Sequence, residues 1–259
     1  SVPEMVSESL SSLLAGVIIA IVFLIFRALF AVTPYGNATD CIYTIIQTPL
    51  QSLTGNLPAF IIIILIAQLL WFFGIHGSMT VLPILFPIWL SYIGDNTAAM
   101  AAGKTIPHVL NIGLWDLANL GGSGATIGLV ILMFFKAKSN QYKSFGKLTL
   151  PCGIFSVNEP VIFGLPVILN PVMLIPFIIC PIVLVCLGYA LIQFGIVTAP
   201  IGILGLGSMP PLISGIMQGS LSWGIYQLVA VVISIIIYYP FFKTIDNQAL
   251  AKEKGEQGE

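Results

Sequence analysis

An all-α membrane protein is the fold class this sequence predicts, and three observations predict it. Of 259 residues, 58% are hydrophobic and only 7% are charged, against about 25% charged residues in a soluble domain. So few charges cannot cover a water-facing surface. Several stretches carry the roughly 20 apolar residues that a helix needs to cross the hydrocarbon core. Between them lie segments that are apolar in pieces but broken by Pro, Gly and isolated charges. At membrane depth such backbone survives only where protein or a water-filled cavity covers it. The expected architecture is polytopic, with about five transmembrane helices, re-entrant hairpins and one amphipathic helix in the interface.

The first span runs from about residue 9 to 32, with Arg27 near one end, where its long stem can snorkel to the interface. After the turn residues Thr33-Pro34-Tyr35-Gly36-Asn37, apolar positions from Cys41 to Leu53 recur at helical spacing beside Asp40, Gln47 and Gln51. That pattern suits a helix lying in the interface plane. A second span covers about 57–75. From 77 to 122 the chain is interrupted by Pro83, Pro87, Gly94-Asp95-Asn96, Pro107-His108 and Asp116, and re-entrant or broken helices are expected there. A further apolar helix is expected over 124–135.

Lys136, Lys138, Lys143 and Lys147 follow within twelve residues that contain no acid. The positive-inside rule makes this loop cytoplasmic. Lys243, Lys252 and Lys254 follow the last span and put the C-terminus on the same side, so two full spans, 171–193 and 222–242, lie between. Residues 148–170 and 198–219 are then hairpins too short or too broken to cross alone. Counting back through five spans leaves the N-terminus outside. Residues 1–243 form the membrane part and 244–259 a cytoplasmic polar tail.

The net charge of −1 offers no basic field for nucleic acid. Cys41, Cys152, Cys180 and Cys186 lack metal-ligand or Cys-x-x-Cys spacing. No metal, cofactor or disulfide is expected. Gly103-Lys104-Thr105 is not a P-loop, because Ala98 stands where the first glycine is needed. The opening Ser1-Val2-Pro3-Glu4 has no initiator methionine and no secretory pattern, and the chain reads as a piece of a longer protein.

Glu159 is the only charged residue between Lys147 and Lys243. An ionisable group at membrane depth costs at least about 2.5 kcal/mol even on lenient scales and is by default functional. It is expected to be buried at a small-molecule site. Pro160 fixes a helix start beside it, and Asn158 supplies amide donors and an acceptor. A capping Glu satisfied within the bundle is the bland alternative. His76, in Trp71-Phe72-Phe73-Gly74-Ile75-His76-Gly77, sits where flanking glycines let a helix stop and the imidazole enter a cavity. A satisfied core histidine is an equal reading. Gly121-Gly122-Ser123-Gly124 opens a helix whose exposed N–H groups can meet ligand oxygens, although such runs are also plain helix-entry loops. Trp115 and Trp223 can stack on a sugar face, but an interfacial aromatic belt is the commoner role.

The run Asn158-Glu159-Pro160-Val161-Ile162-Phe163-Gly164-Leu165-Pro166-Val167-Ile168-Leu169-Asn170-Pro171 resembles the membrane (IIC) component of phosphotransferase-system sugar transporters, lactose/cellobiose/diacetylchitobiose family. Trp71 to Gly77, Gly121 to Thr126, and Thr48-Pro49-Leu50-Gln51 with Leu53-Thr54-Gly55 reinforce it. The resemblance covers essentially the whole chain as the C-terminal part of the family's membrane domain. It implies a bacterial plasma-membrane subunit that binds a β-linked disaccharide and passes it to a cytoplasmic IIB partner, fed in turn by IIA, for phosphorylation of the 6-hydroxyl. It also implies that Glu159 and His76 contact that hydroxyl, that a cysteine on IIB carries the phosphate, and that the full-length protein is a homodimer. None of the four cysteines here is the phosphoryl carrier, so this chain takes part in phosphotransfer only with its partner. Relatives often carry a Pro-Trp pair before a Pro-Pro dipeptide in the second hairpin, where this chain has Leu206-Gly207-Ser208-Met209 before Pro210-Pro211. A stacking tryptophan is therefore missing. The rival reading is an ion-coupled secondary sugar transporter with Glu159 as the coupling carboxylate.

Overall fold

The computed structural model describes residues 4–42, 44–45, 55–165 and 169–256, and among the described residues every regular element is helical. The chain divides into two compact units, Ser1–Ser52 and Leu53–Glu259. In the first, α1 (Glu4–Ala31) contains the apolar stretch Leu13–Ala31, long enough to cross a bilayer. Helix α2 (Ala38–Ile42) is entered through Asn37, whose side chain accepts from the Asp40 amide and donates to the Asp40 carboxylate, both at 2.7 Å. Most of the expected interfacial helix, Cys41 to Leu53, lies outside the described residues, as does Thr48 to Thr54 of the motif quoted above.

The second unit holds α3 (Leu57–Phe72), α4 (Gly77–Ala101), α5 (Ile112–Ala118), α6 (Ile127–Lys136), α7 (Asn140–Ile154), α8 (Glu159–Gly164), α9 (Pro171–Gln193), a 3-10 turn at Leu206–Ser208, α10 (Ile213–Met217) and α11 (Leu221–Glu256). Helices α4, α9 and α11 are long and apolar enough to span a membrane, as α1 is. Helices α3 and α6, with 16 and 10 residues, are shorter than the roughly 20 residues of a full crossing.

The unit is apolar outside and partly polar inside. On α11, Leu221, Ile225, Leu228, Val232 and Ile236 form an exposed stripe at helical spacing, while Tyr226, Gln227, Ser234 and Tyr238 face inward. This inversion is what lipid as solvent selects, since hydrocarbon welcomes the apolar stripe and internal partners satisfy the polar one. Tyr238 and Ser234 donate to the carbonyls of Gly124 and Ala125, each at 2.7 Å, and Tyr226 donates to Leu184 O at 2.6 Å. Helix α11 is thereby fastened to α9 and to the loop before α6.

The all-α polytopic expectation holds, with one difference in the 77–122 segment. Broken backbone was expected throughout, but Gly77–Ala101 is a single helix of 25 residues with Pro83 and Pro87 inside it. Each proline removes one backbone bond in the helix interior, and neighbouring helices tolerate this inside a membrane. Only its second half behaves as expected, with irregular backbone before the seven-residue α5 and after it. Helix α4 is a further candidate span by length and composition, beside the shorter apolar helices α3 and α6.

Both hairpins are present in outline. The first is α7, a turn through Ser156 at positive φ, and α8. The second runs from Gly195 to α10 and is pinned by Asn96 and Asn111, which donate to Ile201 O and Pro200 O, each at 2.8 Å. The last helix does not stop at 242: α11 continues through the polar tail to Glu256.

Candidate functional site

His76 caps the N-terminus of α4, its Nδ1 accepting from the Met79 amide at 3.1 Å. A backbone N–H can only donate, so Nδ1 carries the lone pair and the neutral ring bears its hydrogen on Nε2. That nitrogen stands 3.6 Å from Glu159 Oε1, close enough for charge interaction and too long for a good hydrogen bond. The ring lies over Trp71, with centroids 4.2 Å apart. Gly77 is required next, because a Cβ there would stand 1.8 Å from Ala67 O on α3.

Glu159 opens α8 and is not sealed in the core. Its side chain keeps 47% of its exposure, facing a cavity rather than packed protein. The sequence expectation of a buried carboxylate is corrected to that extent. Glu159 Oε2 is nevertheless shielded and has no hydrogen-bond partner.

Asn158, beside it, is 3% exposed. Its amide donates to Ser123 O at 2.7 Å and Thr126 Oγ1 at 2.9 Å, so the two hydrogens that made it a binding candidate are used to tie the hairpin to the glycine loop. Gly122 has φ +97°, and a Cβ there would come within 2.1 Å of the Asn158 side chain, so only glycine admits this join. Trp71 Nε1 donates to Ser123 Oγ at 2.9 Å, and Ser78 Oγ lies 3.2 Å from the same atom. Of the expected glycine-loop ligands, Gly122 and Ser123 line the cavity. Gly121 and Gly124 are not among its lining residues, and they pack against Ile127 and Phe177.

The cavity measures about 300 Å³ and brings together His76, Glu159, Asn158, Gly122 and Ser123 with α5 and with Gly205, Gly207 and Ser208 of the second hairpin. That volume is at the lower end for small-molecule sites. Sequence reasoning had left the α5 contribution unassigned. Asp116 Oδ2 and Asn119 Oδ1 are buried acceptors without partners, and both residues line the cavity. Their three-residue spacing on a polar-dotted segment put them on one helix face, and that was the available signal.

Trp115, 3% exposed, also lines the cavity, whereas Trp223 is fully buried and packs at a tilt against Tyr226. All four tryptophans are core residues, so the expected interfacial belt is not their role. The interior is where their large apolar rings find protein contacts and where Trp71 finds its acceptor. A larger cavity of about 750 Å³ lies between the ends of α4 and α9, but Lys104 is the only ionisable residue lining it. The convergent polar groups favour the smaller one as the site. Among the described residues no group of three His, Cys, Asp or Glu side chains converges as metal ligands would.

Residues 1–181 match the family model "Phosphotransferase system, EIIC". The chain is 38% identical to the "Lichenan permease IIC component" of Bacillus subtilis (strain 168), over 97% of this chain and 56% of the relative. It is 36% identical to the "PTS system cellobiose-specific EIIC component" of Geobacillus stearothermophilus, over 98% and 58%. Among solved structures it is similar to the transporter ChbC, the IIC component of the N,N'-diacetylchitobiose-specific phosphotransferase system, with TM-score 0.78, 38% identity, and coverage of 98% of this chain and 60% of that one. The chain thus spans a little over half the length of these relatives. Helices of spanning length, hairpins meeting at one polar cavity and the matched 1–181 segment agree, and the chain belongs to the phosphotransferase-system EIIC family.

Proposed function

We propose that this chain is the sugar-holding part of a membrane component that binds a β-linked disaccharide of the cellobiose, diacetylchitobiose or lactose kind. It presents the sugar's 6-hydroxyl to a cytoplasmic IIB protein for phosphorylation during translocation. The observation that carries this reading is an imbalance in the cavity: Glu159 Oε2, Asp116 Oδ2 and Asn119 Oδ1 are shielded acceptors with no donor. Leaving such groups unmet costs about 1–3 kcal/mol each. A ligand that relieves them brings several O–H or N–H donors, and a sugar does. The names of the relatives, which specify lichenan, cellobiose and diacetylchitobiose, support the same class.

A hydroxyl seated between His76 and Glu159 accepts from Nε2–H and donates to the carboxylate. As its oxygen bonds to phosphorus and the phosphorus–sulfur bond to the IIB cysteine breaks, Glu159 takes the proton. General-base help of this kind is worth about 10²- to 10⁴-fold. Pairing with IIB and IIA, a homodimer in the full-length protein, a bacterial plasma membrane and a cytoplasmic lysine-bearing end belong to the same reading, the last by the charge rule.

The test is Glu159→Gln in the full-length protein with its partners. Sugar phosphorylation is expected to be lost while membrane insertion is retained, and normal phosphorylation would overturn the assignment. Uptake driven by a proton gradient without a phosphoryl donor would instead make Glu159 a coupling carboxylate.

A further inference from the structure

Helix α11 passes three levels of its unit in turn. Near its start, Ser222 Oγ accepts from Thr198 N at 3.0 Å and donates to Thr198 Oγ1 at 3.3 Å, in the second hairpin. Midway, Ser234 and Tyr238 hold the glycine loop, whose Gly122 and Ser123 line the His76–Glu159 cavity. Further on, Asp246 accepts from Lys138 N at 2.8 Å. At about 1.5 Å per residue the Thr198 level stands roughly 18–24 Å from the site level, on the side away from the lysines. The larger cavity, of about 750 Å³, includes Thr198 in its lining. It lies across the site from the lysine-bearing end, and is outer by the charge rule.

The two cavities share a wall. In the second hairpin Gly195, Thr198 and Ile201 line the larger one, whereas Gly205, Gly207 and Ser208 line the site. Side chains fix that wall in place: Gln218 Oε1 accepts from Gly202 N and Ile203 N, each at 2.9 Å, while Asn96 and Asn111 hold the Ile201 and Pro200 carbonyls. A smaller cavity of about 130 Å³ adjoins the larger through Pro107, Val109 and Gln193, and adds the rings of Tyr92, His108 and Tyr189. His108 is fixed by Asp95 Oδ2, 2.9 Å from Nε2, and by Tyr92, stacked 4.0 Å away at 5°.

These groups narrow the occupant by elimination. The larger cavity begins where α4 and α9 end, with Gly103 and Gly195 in its lining, and a helix C-terminus carries negative partial charge and unmet carbonyls. A phosphate, from a lipid headgroup or free, gains from Lys104 but faces two such ends. A cation meets Lys104 itself. A wholly apolar ligand would take water from Lys104, Thr105 and Gln193 and return nothing. A hydroxyl-rich ring answers all of them: its O–H groups donate to carbonyls and accept from Lys104 and Gln193, and its C–H face packs on flat side chains.

We propose that the larger cavity, with its aromatic annex, is a second saccharide site that receives the disaccharide before it reaches His76 and Glu159. This rests on the function proposed above for the identity of the ligand, and adds where its passage begins. It is the weaker of the two sites, because its one cation, Lys104, is exposed, whereas acceptors of the His76–Glu159 cavity are shielded from water.

The experiment irradiates full-length protein in phosphatidylcholine nanodiscs with a diazirine derivative of cellobiose over a range of concentrations, with and without excess cellobiose. Labelled peptides are mapped by mass spectrometry. Label is expected first around His76 and Glu159 and, at higher probe concentration, around residues 189–198, and excess cellobiose should suppress both. Tyr189→Ala/Gln193→Ala should weaken the second labelling by at least about fivefold and leave the first unchanged. Label confined to His76 and Glu159 at every concentration would overturn the proposal and leave the proposed function intact. So would outer label that excess cellobiose does not displace, which marks capture of the probe as by an apolar or lipid-filled pocket, or outer label that the double variant keeps in full. Displaceable label in the outer cavity with none at His76 and Glu159 would count against the proposed function and leave the outer site standing. Displaceable label at neither place would sink both.

Discussion

His76 Nε2 stands 3.6 Å from Glu159 Oε1, while the other nitrogen of the same ring is engaged by the Met79 amide. One residue caps a long helix and the other opens a short one, so the pair depends on how α4 and the first hairpin are seated. His76→Gln keeps an acceptor for Met79 and a donor but moves both off the ring's geometry. It should lower the phosphorylation rate at saturating sugar by about 10- to 100-fold, a smaller loss than the one expected on removing the base. Sugar phosphorylation kinetics in the full-length protein check this.

Asp116→Ala removes a cavity-lining oxygen, Oδ2, that has no hydrogen-bond partner within the protein. A hydrogen bond to an uncharged buried carboxyl is worth about 0.5–1.5 kcal/mol, so sugar affinity should fall about 2- to 12-fold. Thermal stability of the sugar-free protein should hold or rise, since an unpaired buried carboxyl goes with the side chain. Calorimetric titration and a melting curve read the two effects separately.

Gly122→Ala places a Cβ against Asn158 at a left-handed φ. The glycine loop and the first hairpin must then separate, and both sugar binding and melting temperature should drop. Gly94→Ala is the control, because a Cβ there meets nothing within 4 Å in the interior of α4. Helix propensity favours that change by up to about 1 kcal/mol.

Asp246→Ala strips the acceptors of Lys138 N and Ser139 N. Each unsatisfied buried donor costs about 1–3 kcal/mol. Hydrogen exchange at the start of α7 should quicken markedly, while exchange in α9 should not change.

Helix existence was legible from apolar length, and Glu159 from its isolation in charge. The integrity of α4 was not, because Pro83 and Pro87 read as breaks when only local propensity is weighed. Packing against α3 decides otherwise. Asn158 looked like a ligand because its amide is free in the sequence, whereas the structure uses that amide on Ser123 and Thr126. Asp116 and Asn119 were visible as polar residues, but their lack of partners is a property of the folded cavity. The residues beyond 243 read by composition as a polar tail. Only the contacts of Asp246 and Glu253 with α7 reveal its order.

The most direct measurement is a structure of the full-length protein with bound cellobiose. The account predicts a sugar hydroxyl within hydrogen-bond distance of both His76 Nε2 and Glu159, with further hydroxyls on Asp116 and Asn119. Sugar seated instead in the larger cavity beside Lys104, with the His76–Glu159 gap empty, would contradict it.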